Sequence, residues 1–239
     1  MKKYLFLIFI LGVVVAASGC IGSGGTGSGN VINETPKVSG FNQVALDGIG
    51  TLIITQGNTE SLTIEAEDNV IPHIKTTVKD NRLQISYDNA GTPTPTKPVK
   101  LQLTVKNISS IDISGAGKLN ANNLSTDNLN LFVNGAAAGN LTNINMNTLV
   151  LTISGAGKLS ASGNVDTQTI TINGAGEFNA PSLLSQSTTI TINGAGKGTV
   201  NANKTLNAII NGAGQVNYFG NPQITKQING VGKINHLVN

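Results

Sequence analysis

The strongest constraint on this chain is a short glycine motif that recurs along its second half. The copies are SGAGKL from Ser114, NGAAAGNL from Asn134, SGAGKL from Ser154, NGAGEF from Asn173, NGAGKG from Asn193, NGAGQV from Asn211 and NGVGKI from Asn229. Their starts lie 20, 20, 19, 20, 18 and 18 residues apart, and a weaker relative, DGIGTL, starts at Asp47. A fixed period of this length indicates a repeat architecture in which every repeat is one structural unit.

Each repeat has the pattern of a strand, a tight corner and a second strand. Apolar residues alternate before the motif, as in Leu149, Leu151 and Ile153, and another follows it, such as Leu159. Period-two alternation predicts a strand with one buried face. The two glycines permit positive φ at the corner, and we expect the small residue between them, such as Ala156, to point into the crowded corner. The corner glycines are Gly115, Gly117, Gly155, Gly157, Gly174, Gly176, Gly194, Gly196, Gly212, Gly214, Gly230 and Gly232.

Two architectures can use this unit. Asn-Gly between apolar runs is typical of a hairpin, which would give an antiparallel meander. A meander requires no fixed period, whereas a solenoid stacks identical positions about 4.8 Å apart. Twenty residues per coil leave two strands of about six after two four-residue corners. We therefore predict an all-β fold, a parallel β-helix (solenoid) of 18–20-residue coils with tight G-x-G corners.

Stacked coils align two sets of polar residues. The corner asparagines are predicted to hydrogen-bond along a ladder; they are Asn134, Asn173, Asn193, Asn211 and Asn229. The lysines after the corner form an exposed row that Glu177 and Gln215 interrupt; they are Lys118, Lys158, Lys197 and Lys233. We interpret this row as solvated residues that discourage edge-to-edge association, with a binding stripe as the alternative.

Residues 38–107 are expected to form less regular opening coils that cap the solenoid, and residues 108–239 its repeat coils. The alternation predicts strands at Phe41–Leu46, Gly50–Gln56, Ser61–Glu67, Arg82–Tyr87 and Val99–Lys106. Asp68–Ile74 breaks the alternation and predicts a short helix or turn. The proline-containing segment Asn89–Pro98 predicts an exposed loop, because proline cannot donate to a strand ladder.

The N-terminus has the features of a secretory signal. Lys2 and Lys3 precede an apolar stretch at Leu5–Ala17, and small residues precede Cys20. We interpret residues 1–19 as a signal peptide and residues 20–37 as a lipidated Cys20 with a linker, Ile21–Asn30 being too rich in Gly and Ser to fold. The small residues before this single cysteine resemble the lipobox of prokaryotic lipoproteins, although Ala17 stands where Leu is usual. An ordinary secretory signal with a nearby cysteine is the alternative.

Three features in this order resemble the head GIN domain family of autotransporter adhesins. They are FNQVALDGIGTLIITQG from Phe41, DNRLQISY from Asp80, and the array of G-x-G corners preceded by Ile-Asn or Ile-Ser. The resemblance covers about residues 38–237. It implies a right-handed β-helix, no established enzymatic activity and a role in surface adhesion, and it supplies no active-site residues.

Composition argues against catalysis and nucleic-acid binding. Charged residues make up 11% of the chain, and Arg82 is the only arginine; scattered lysines do not form the cluster that a phosphate backbone needs. In the repeats the acids are only Asp112, Asp127, Asp166 and Glu177, which fall in different coils at unmatched positions. The two histidines, His73 and His236, are too far apart in sequence for a local zinc site. We predict no catalytic residues, no metal and no cofactor.

The sequence leaves a surface role. We expect a lipid-anchored, extracytoplasmic protein at the cell membrane or cell surface, for adhesion or envelope interaction, with surface glycans or other envelope proteins as partners. The alternatives are an envelope polysaccharide-binding protein, a structural spacer and, less favoured, a polysaccharide lyase or hydrolase. The oligomeric state is open. Asn-x-Ser/Thr sequons predict glycosylation in a host that performs it; they start at Asn33, Asn107, Asn123, Asn140 and Asn203.

Overall fold

The computed structural model of the protein describes residues 24–88 and 91–238. The described residues form strands and one short 3-10 turn, Ile71–His73. The strands are β1 Val31–Glu34, β2 Gln43–Gly48, β3 Thr51–Gln56, β4 Ser61–Glu67, β5 Ile74–Lys79, β6 Arg82–Tyr87, β7 Lys100–Val105, β8 Ser110–Gly115, β9 Lys118–Asn122, β10 Ser125–Gly135, β11 Ala138–Gly155, β12 Lys158–Gly174, β13 Glu177–Gly194, β14 Lys197–Gly212, β15 Gln215–Phe219, β16 Gln223–Gly230 and β17 Lys233–His236. The 3-10 turn confirms the break expected at Asp68–Ile74. Within the described residues no helix is long and apolar enough to cross a bilayer.

The repeats stack in parallel, so the predicted solenoid is confirmed and the meander is excluded. Strand β12 pairs in parallel with β11 on one side and with β13 on the other, and β13 pairs in parallel with β14. The register places each motif directly above the previous one, with Gly155 opposite Gly174 and Gly174 opposite Gly194. The 18–20-residue period is therefore the length of one coil.

The core is a set of apolar columns that run through the stack. Ile153, Ile172, Ile192 and Ile210 are successive members of one column, and each is almost completely buried. A second column, on the other side of the corner, contains Leu119, Gly139, Leu159 and Phe178. Because each coil buries its apolar residues mainly against the next coil, stability depends on stacking.

The second bend of each coil differs from our expectation of two equivalent four-residue corners. Strands β11, β12 and β13 contain 18, 17 and 18 residues and continue through this bend. Register shifts mark it, as between Leu141 and Ile144. Asn123 and Asn143 adopt φ of 55° there, and Gly163 has φ of 127°. In β11 and β12 a single left-handed residue, Asn143 or Gly163, thus turns the chain without ending the strand. In two other coils the strand does end at this bend, between β9 and β10 and between β15 and β16.

The opening coils do not follow chain order. Strand β2 lies between β6 and β8, and β3 lies between β7 and β9, all in parallel. Strands β5 and β4 then add antiparallel to β6 and β7, and β1 adds antiparallel to β4. These antiparallel strands cover the open end of the parallel stack.

The segment preceding β1 is bound to this covered end, which differs from the expected unstructured linker. Gly27 N donates to Thr94 O at 2.9 Å, and Ser28 N donates to Asn69 Oδ1 at 2.9 Å. The buried Glu67 accepts from Gly29 N at 2.7 Å and from Thr96 N at 2.8 Å. The hydrogen bond from the Thr96 hydroxyl, with those from backbone amides, lowers the pKa of Glu67 despite its burial. The carboxylate of Glu67 thus gives the backbone amides of Gly29 and Thr96 a hydrogen-bond acceptor within the protein. Without it these amides would lose their hydrogen bonds to water with no replacement.

A polar cluster interrupts the apolar core in the middle of the repeats. The column through Leu149 continues with Gln168, Thr188 and Leu206. Gln168 Nε2 donates to Thr188 Oγ1 at 2.9 Å, and Ser185 Oγ donates to Asn201 O at 2.7 Å. Among the described residues Gln168 Oε1 is buried without a hydrogen-bond partner.

The last coil ends two of the inward columns with polar residues, while Ile224, Ile228 and Ile234 end three others. Lys226 follows Ala208 in an otherwise apolar inward column, and its Nζ lies 5.9 Å from the centre of the Tyr218 ring. His236 lies at the end of another inward column and stacks on Tyr218, with the two ring centres 4.7 Å apart. Inward-pointing charge at an open strand edge opposes pairing with another chain.

Candidate functional site

The two glycines of each corner are required for different reasons. The first has positive φ in each predicted pair, for example 120° at Gly174 and 132° at Gly194; the full set is Gly115, Gly155, Gly174, Gly194, Gly212 and Gly230. The second has no positive φ but is enclosed by the core: a Cβ on Gly176 would lie 2.6 Å from Ile153 Cγ2. The same enclosure applies to Gly117, Gly157, Gly196, Gly214 and Gly232.

The expectation that the residue between the glycines fills the corner is wrong. Ala156 and Ala175 are exposed, whereas Gly157 and Gly176 are buried. Val231, at the same position of the last motif, is 80% exposed. Positive φ at the first glycine turns the next side chain outward, so the crowded position falls one residue later.

The asparagine ladder is confirmed for four of its five members. Asn193 Nδ2 donates to Asn173 Oδ1, Asn211 Nδ2 to Asn193 Oδ1, and Asn229 Nδ2 to Asn211 Oδ1, each at 2.8 Å. Asn134 lies opposite Ser154, which interrupts the amide ladder. These amides hydrogen-bond one another, so their role is to hold the corners in register.

The predicted lysines join a longer row with a regular alternation. The strand registers align nine positions, one per layer, on the outward side just after the corner: Lys100, Thr51, Lys118, Ala138, Lys158, Glu177, Lys197, Gln215 and Lys233. Lysine occupies every second layer. We call Lys100, Lys118, Lys158, Lys197 and Lys233 the lysine row. Layers of a parallel sheet are about 4.8 Å apart, so successive backbone positions in the row are about 9.6 Å apart.

The row does not lie where it can discourage edge-to-edge association. Lys118 and Lys158 are in layers whose backbone is paired on both sides. A side chain blocks strand addition only at an unpaired edge, and Lys233 alone lies in the last layer. The favoured interpretation from sequence is therefore wrong for the central lysines, and they face solvent from the middle of a sheet.

A groove lies between Lys118 and Lys158, where the intervening layer has small residues. Ala138 and Gly139 form its floor, and its volume is about 350 Å³. A second outward column lines it with Asn120, Asn140, Ser160 and Asn179, and the acidic side chain of Glu177, one layer beyond Lys158, also belongs to its lining. Ser160 Oγ donates to Asn140 Oδ1 at 2.8 Å. We call this feature the lysine groove.

Two members of the row have acidic neighbours. Lys100 Nζ lies 2.7 Å from Glu65 Oε1, and Lys197 Nζ lies 4.0 Å from Glu177 Oε1. Lys118 and Lys158 have no acidic side chain within ion-pair distance in the described part of the chain. The lysine groove therefore has two lysines without an ion pair in the described residues, together with one carboxylate, Glu177, whose ion pair is with Lys197.

The expectation that the acids of the repeats lie at unmatched positions is wrong for one pair. The registers place Asp127 and Asp166 in the same column, two layers and about 9.6 Å apart, with Asn147 between them. Asp112 pairs with Arg82 Nη2 at 3.0 Å, and Asp127 Oδ1 accepts from Asn147 Nδ2 at 3.1 Å. His73 lies 2.7 Å from Asp88, and this hydrogen bond lowers the pKa of Asp88. Across residues 24–88 and 91–238, no three His, Cys, Asp or Glu side chains form a group suited to a metal.

The modification sites have mixed status. Cys20 and the signal segment fall outside the described residues. All five sequon asparagines, Asn33, Asn107, Asn123, Asn140 and Asn203, are exposed, and their glycosylation stays a prediction. Asn140 lines the lysine groove, so a glycan there would obstruct it.

Sequence reasoning missed Lys100 as a member of the row and Ala138 as the gap that opens the groove. The signal for Ala138 was present, because NGAAAGNL replaces the lysine of its neighbours by alanine at the same phase. Lys100 precedes the regular repeats and is aligned only through β3, which lies out of chain order.

The fold and these columns define a parallel β-solenoid with a regular, basic outward face. The chain belongs to the family described as "Putative auto-transporter adhesin, head GIN domain", whose model matches residues 40–222. No curated protein matches it.

Solved structures share the architecture. A putative adhesin from Bacteroides fragilis is 27% identical with a TM-score of 0.85, covering 89% of this chain and 99% of its own. A "putative lipid binding protein" from Parabacteroides distasonis is 20% identical with a TM-score of 0.70, covering 89% and 99%. A putative adhesin from Parabacteroides merdae is also 20% identical, with a TM-score of 0.69, covering 89% and 98%. The latter two show the fold alone.

Proposed function

We propose that this protein is a non-catalytic adhesion domain, tethered to the membrane by lipid on Cys20, whose outward face contacts polymers of the cell envelope or of other surfaces. Membership of an adhesin family supports this role. The observation that carries it is the outward lysine row, which keeps one register through nine layers. A long, regular polar face can contact an extended partner at many points, and many weak contacts in series give strong attachment.

A binding role rather than a reaction fits the distribution of titratable groups. Glycoside hydrolysis uses two carboxylates about 5–9.5 Å apart that flank one bond. Here Asp112 is paired with Arg82 and Asp127 accepts from Asn147. Glu177 occupies the layer between Lys158 and Lys197, with its Oε1 4.0 Å from Lys197 Nζ. These contacts involve three of the four acids that sequence analysis considered for catalysis. The fourth, Asp166, is exposed two layers from Asp127, and Asn147, which donates to Asp127, lies between them.

The proposed anchor would hold the covered end of the solenoid close to the membrane. Cys20 precedes Gly24, the first described residue, by four positions. Four residues of extended chain reach at most about 14 Å. The segment from Gly24 to Asn30 is bound to the capping strands, so it does not lengthen the tether. The repeat coils would then project away from the lipid.

The test is fractionation and adhesion of cells that express the full chain or the Cys20→Ser variant. We expect the wild-type protein in the membrane fraction and the variant in the soluble extracytoplasmic fraction. Mass spectrometry of the N-terminal peptide of the wild-type protein should show the added mass of the lipid. Ser23→Ala, close to the anchor, is the matched control and should behave as wild type. Cells with the wild-type protein should attach to envelope-coated surfaces more than cells with the variant. Membrane retention of processed Cys20→Ser protein would contradict the anchor, and equal attachment would contradict the adhesion role.

A further inference from the structure

We propose that the lysine row binds a linear acidic polysaccharide that carries one carboxylate on alternate sugars, with the lysine groove as its principal subsite. This inference rests on the adhesion role proposed above and names its ligand class. It begins from how lysine is distributed. Six lysines follow Gly115, and four of them, Lys118, Lys158, Lys197 and Lys233, are in the row.

The spacing of the row defines the spacing of charge on the partner. Lysine recurs at every second layer, so the row presents one cation about every 9.6 Å over a length of roughly 38 Å. Mutual repulsion explains why lysines avoid adjacent layers, but it does not explain why they return at every second one. A rigid row of this period is complementary to an extended polymer with an anion on every other unit.

The groove supplies the contacts that a sugar ring needs besides charge. Ala138 and Gly139 leave an open floor between two lysines. Asn120, Asn140 and Asn179 are exposed along its side, where their amides can donate to and accept from hydroxyl groups. The volume of about 350 Å³ lies within the range of small-molecule sites. The aliphatic parts of Lys118 and Lys158 would pack along the neutral sugar between them, while each ammonium group reaches the carboxylate of the uronate on its own side.

A polysaccharide fits these features better than a bilayer surface does. A membrane presents dense, laterally mobile anions and requires no fixed period, whereas this row holds its cations in a single line by strand register. A bilayer surface also offers no line of hydroxyl groups, whereas a polysaccharide does. The outward column beside the lysine row has Asn or Ser in four successive layers, from Asn120 to Asn179, and these side chains can hydrogen-bond to such hydroxyls.

The test uses hyaluronan fragments, which alternate uronate and N-acetylhexosamine, with the folded domain in calorimetry at 0.15 M salt. Chitooligosaccharides of equal length are the neutral probe. We expect binding of the hyaluronan fragments that weakens roughly tenfold in Lys118→Gln/Lys158→Gln, since contacts between complementary charges contribute to affinity and tenfold corresponds to about 1.4 kcal/mol. Lys37→Gln/Lys204→Gln removes the same charge at exposed lysines outside the row and should change affinity less than twofold.

Three outcomes would overturn the proposal. They are absence of binding to hyaluronan fragments, equal binding of the neutral probe, and equal losses in the two double variants, which would indicate attraction by net charge alone. Binding to vesicles of anionic phospholipid without binding to the fragments would likewise replace it by a membrane-contact role. If cells still attach through the wild-type domain in any of these cases, the adhesion role stands and only its ligand class is refuted.

Discussion

The stacked corners make a specific prediction about Gly174. Its φ of 120° is closed to residues with a Cβ, and a Cβ there would lie 2.7 Å from Gly155 O. That oxygen accepts the hydrogen bond from Ala175 N at 3.0 Å. The atom in the way is therefore backbone, and it cannot rotate aside as a side chain can. Gly174→Ala must either strain φ or separate two layers.

The expected loss follows from these two effects. Unfavourable φ costs about 1–3 kcal/mol, and overlap in a packed site typically costs a further 1–3 kcal/mol or so. We expect a loss of about 4 kcal/mol. For a chain of this size each kcal/mol lowers the melting temperature by about 2–4 °C, which gives a fall of roughly 12 °C by differential scanning calorimetry.

Ala175→Val provides the matched control. It adds more side-chain volume one residue later, where the side chain is exposed and where the last motif already has Val231. We expect a change within about 0.5 kcal/mol. Gly230→Ala has the same strain, with φ of 140°, but should unfold only the final coil and reduce the main transition less. A melting temperature for Gly174→Ala close to wild type, or an equal fall for Ala175→Val, would refute the reasoning.

Three further predictions concern the ends and the core. Lys226→Ile should allow the open final coils of two molecules to associate, because it replaces the inward charge in the layer after Ala208 with an apolar group. Sedimentation velocity should show concentration-dependent dimers, and a strictly monomeric variant would contradict this. The hydrogen bonds to Glu67 lower its pKa from an ordinary value of 4.5. Their contribution to stability is therefore complete above about pH 4.5 and is lost as the pH falls through the lowered pKa. The amide signals of Gly29 and Thr96 should shift together in that acid range, and unchanged signals there would refute the role of Glu67. Gln168→Leu/Thr188→Val should stabilise the fold by about 1 kcal/mol. It replaces both partners of a buried hydrogen bond by apolar groups between Leu149 and Leu206 in their column, and it removes the buried Gln168 carbonyl that has no partner among the described residues. A lower urea midpoint than wild type would contradict this.

The repeat coils were predictable because every repeat applies the same rules. Period-two alternation identifies the inward residues, and the fixed spacing of G-x-G identifies which residues stack. The lysines of the repeats and the ladder from Asn173 to Asn229 follow directly from that spacing. The position of the crowded corner did not, because it depends on which of the two glycines of the motif has positive φ, and the G-x-G sequence leaves that undetermined.

The capping end was less predictable because its contacts are non-local. Nothing near Glu67 in the sequence indicates that it will accept hydrogen bonds from Gly29 and Thr96, which lie 38 and 29 residues away. A glycine-rich composition predicts an unstructured segment on the assumption that its amides stay in water. The order of β7, β3 and β9 in the stack also has no local signal, and it is this order that brings Lys100 into the row.

The account is tested most directly by amide chemical-shift mapping of the isotopically labelled domain with hyaluronan fragments. The outward side of the strand segment before the corner provides an internal comparison, with Thr169, Thr171, Thr189 and Thr191 aligned in two adjacent layers. We predict shift changes at Lys118, Asn120, Ala138, Asn140 and Lys158, extending along the row as the fragments lengthen, and none at these threonines. Changes centred on the threonines, or spread evenly over both faces, would contradict the assignment of the lysine row as the binding face.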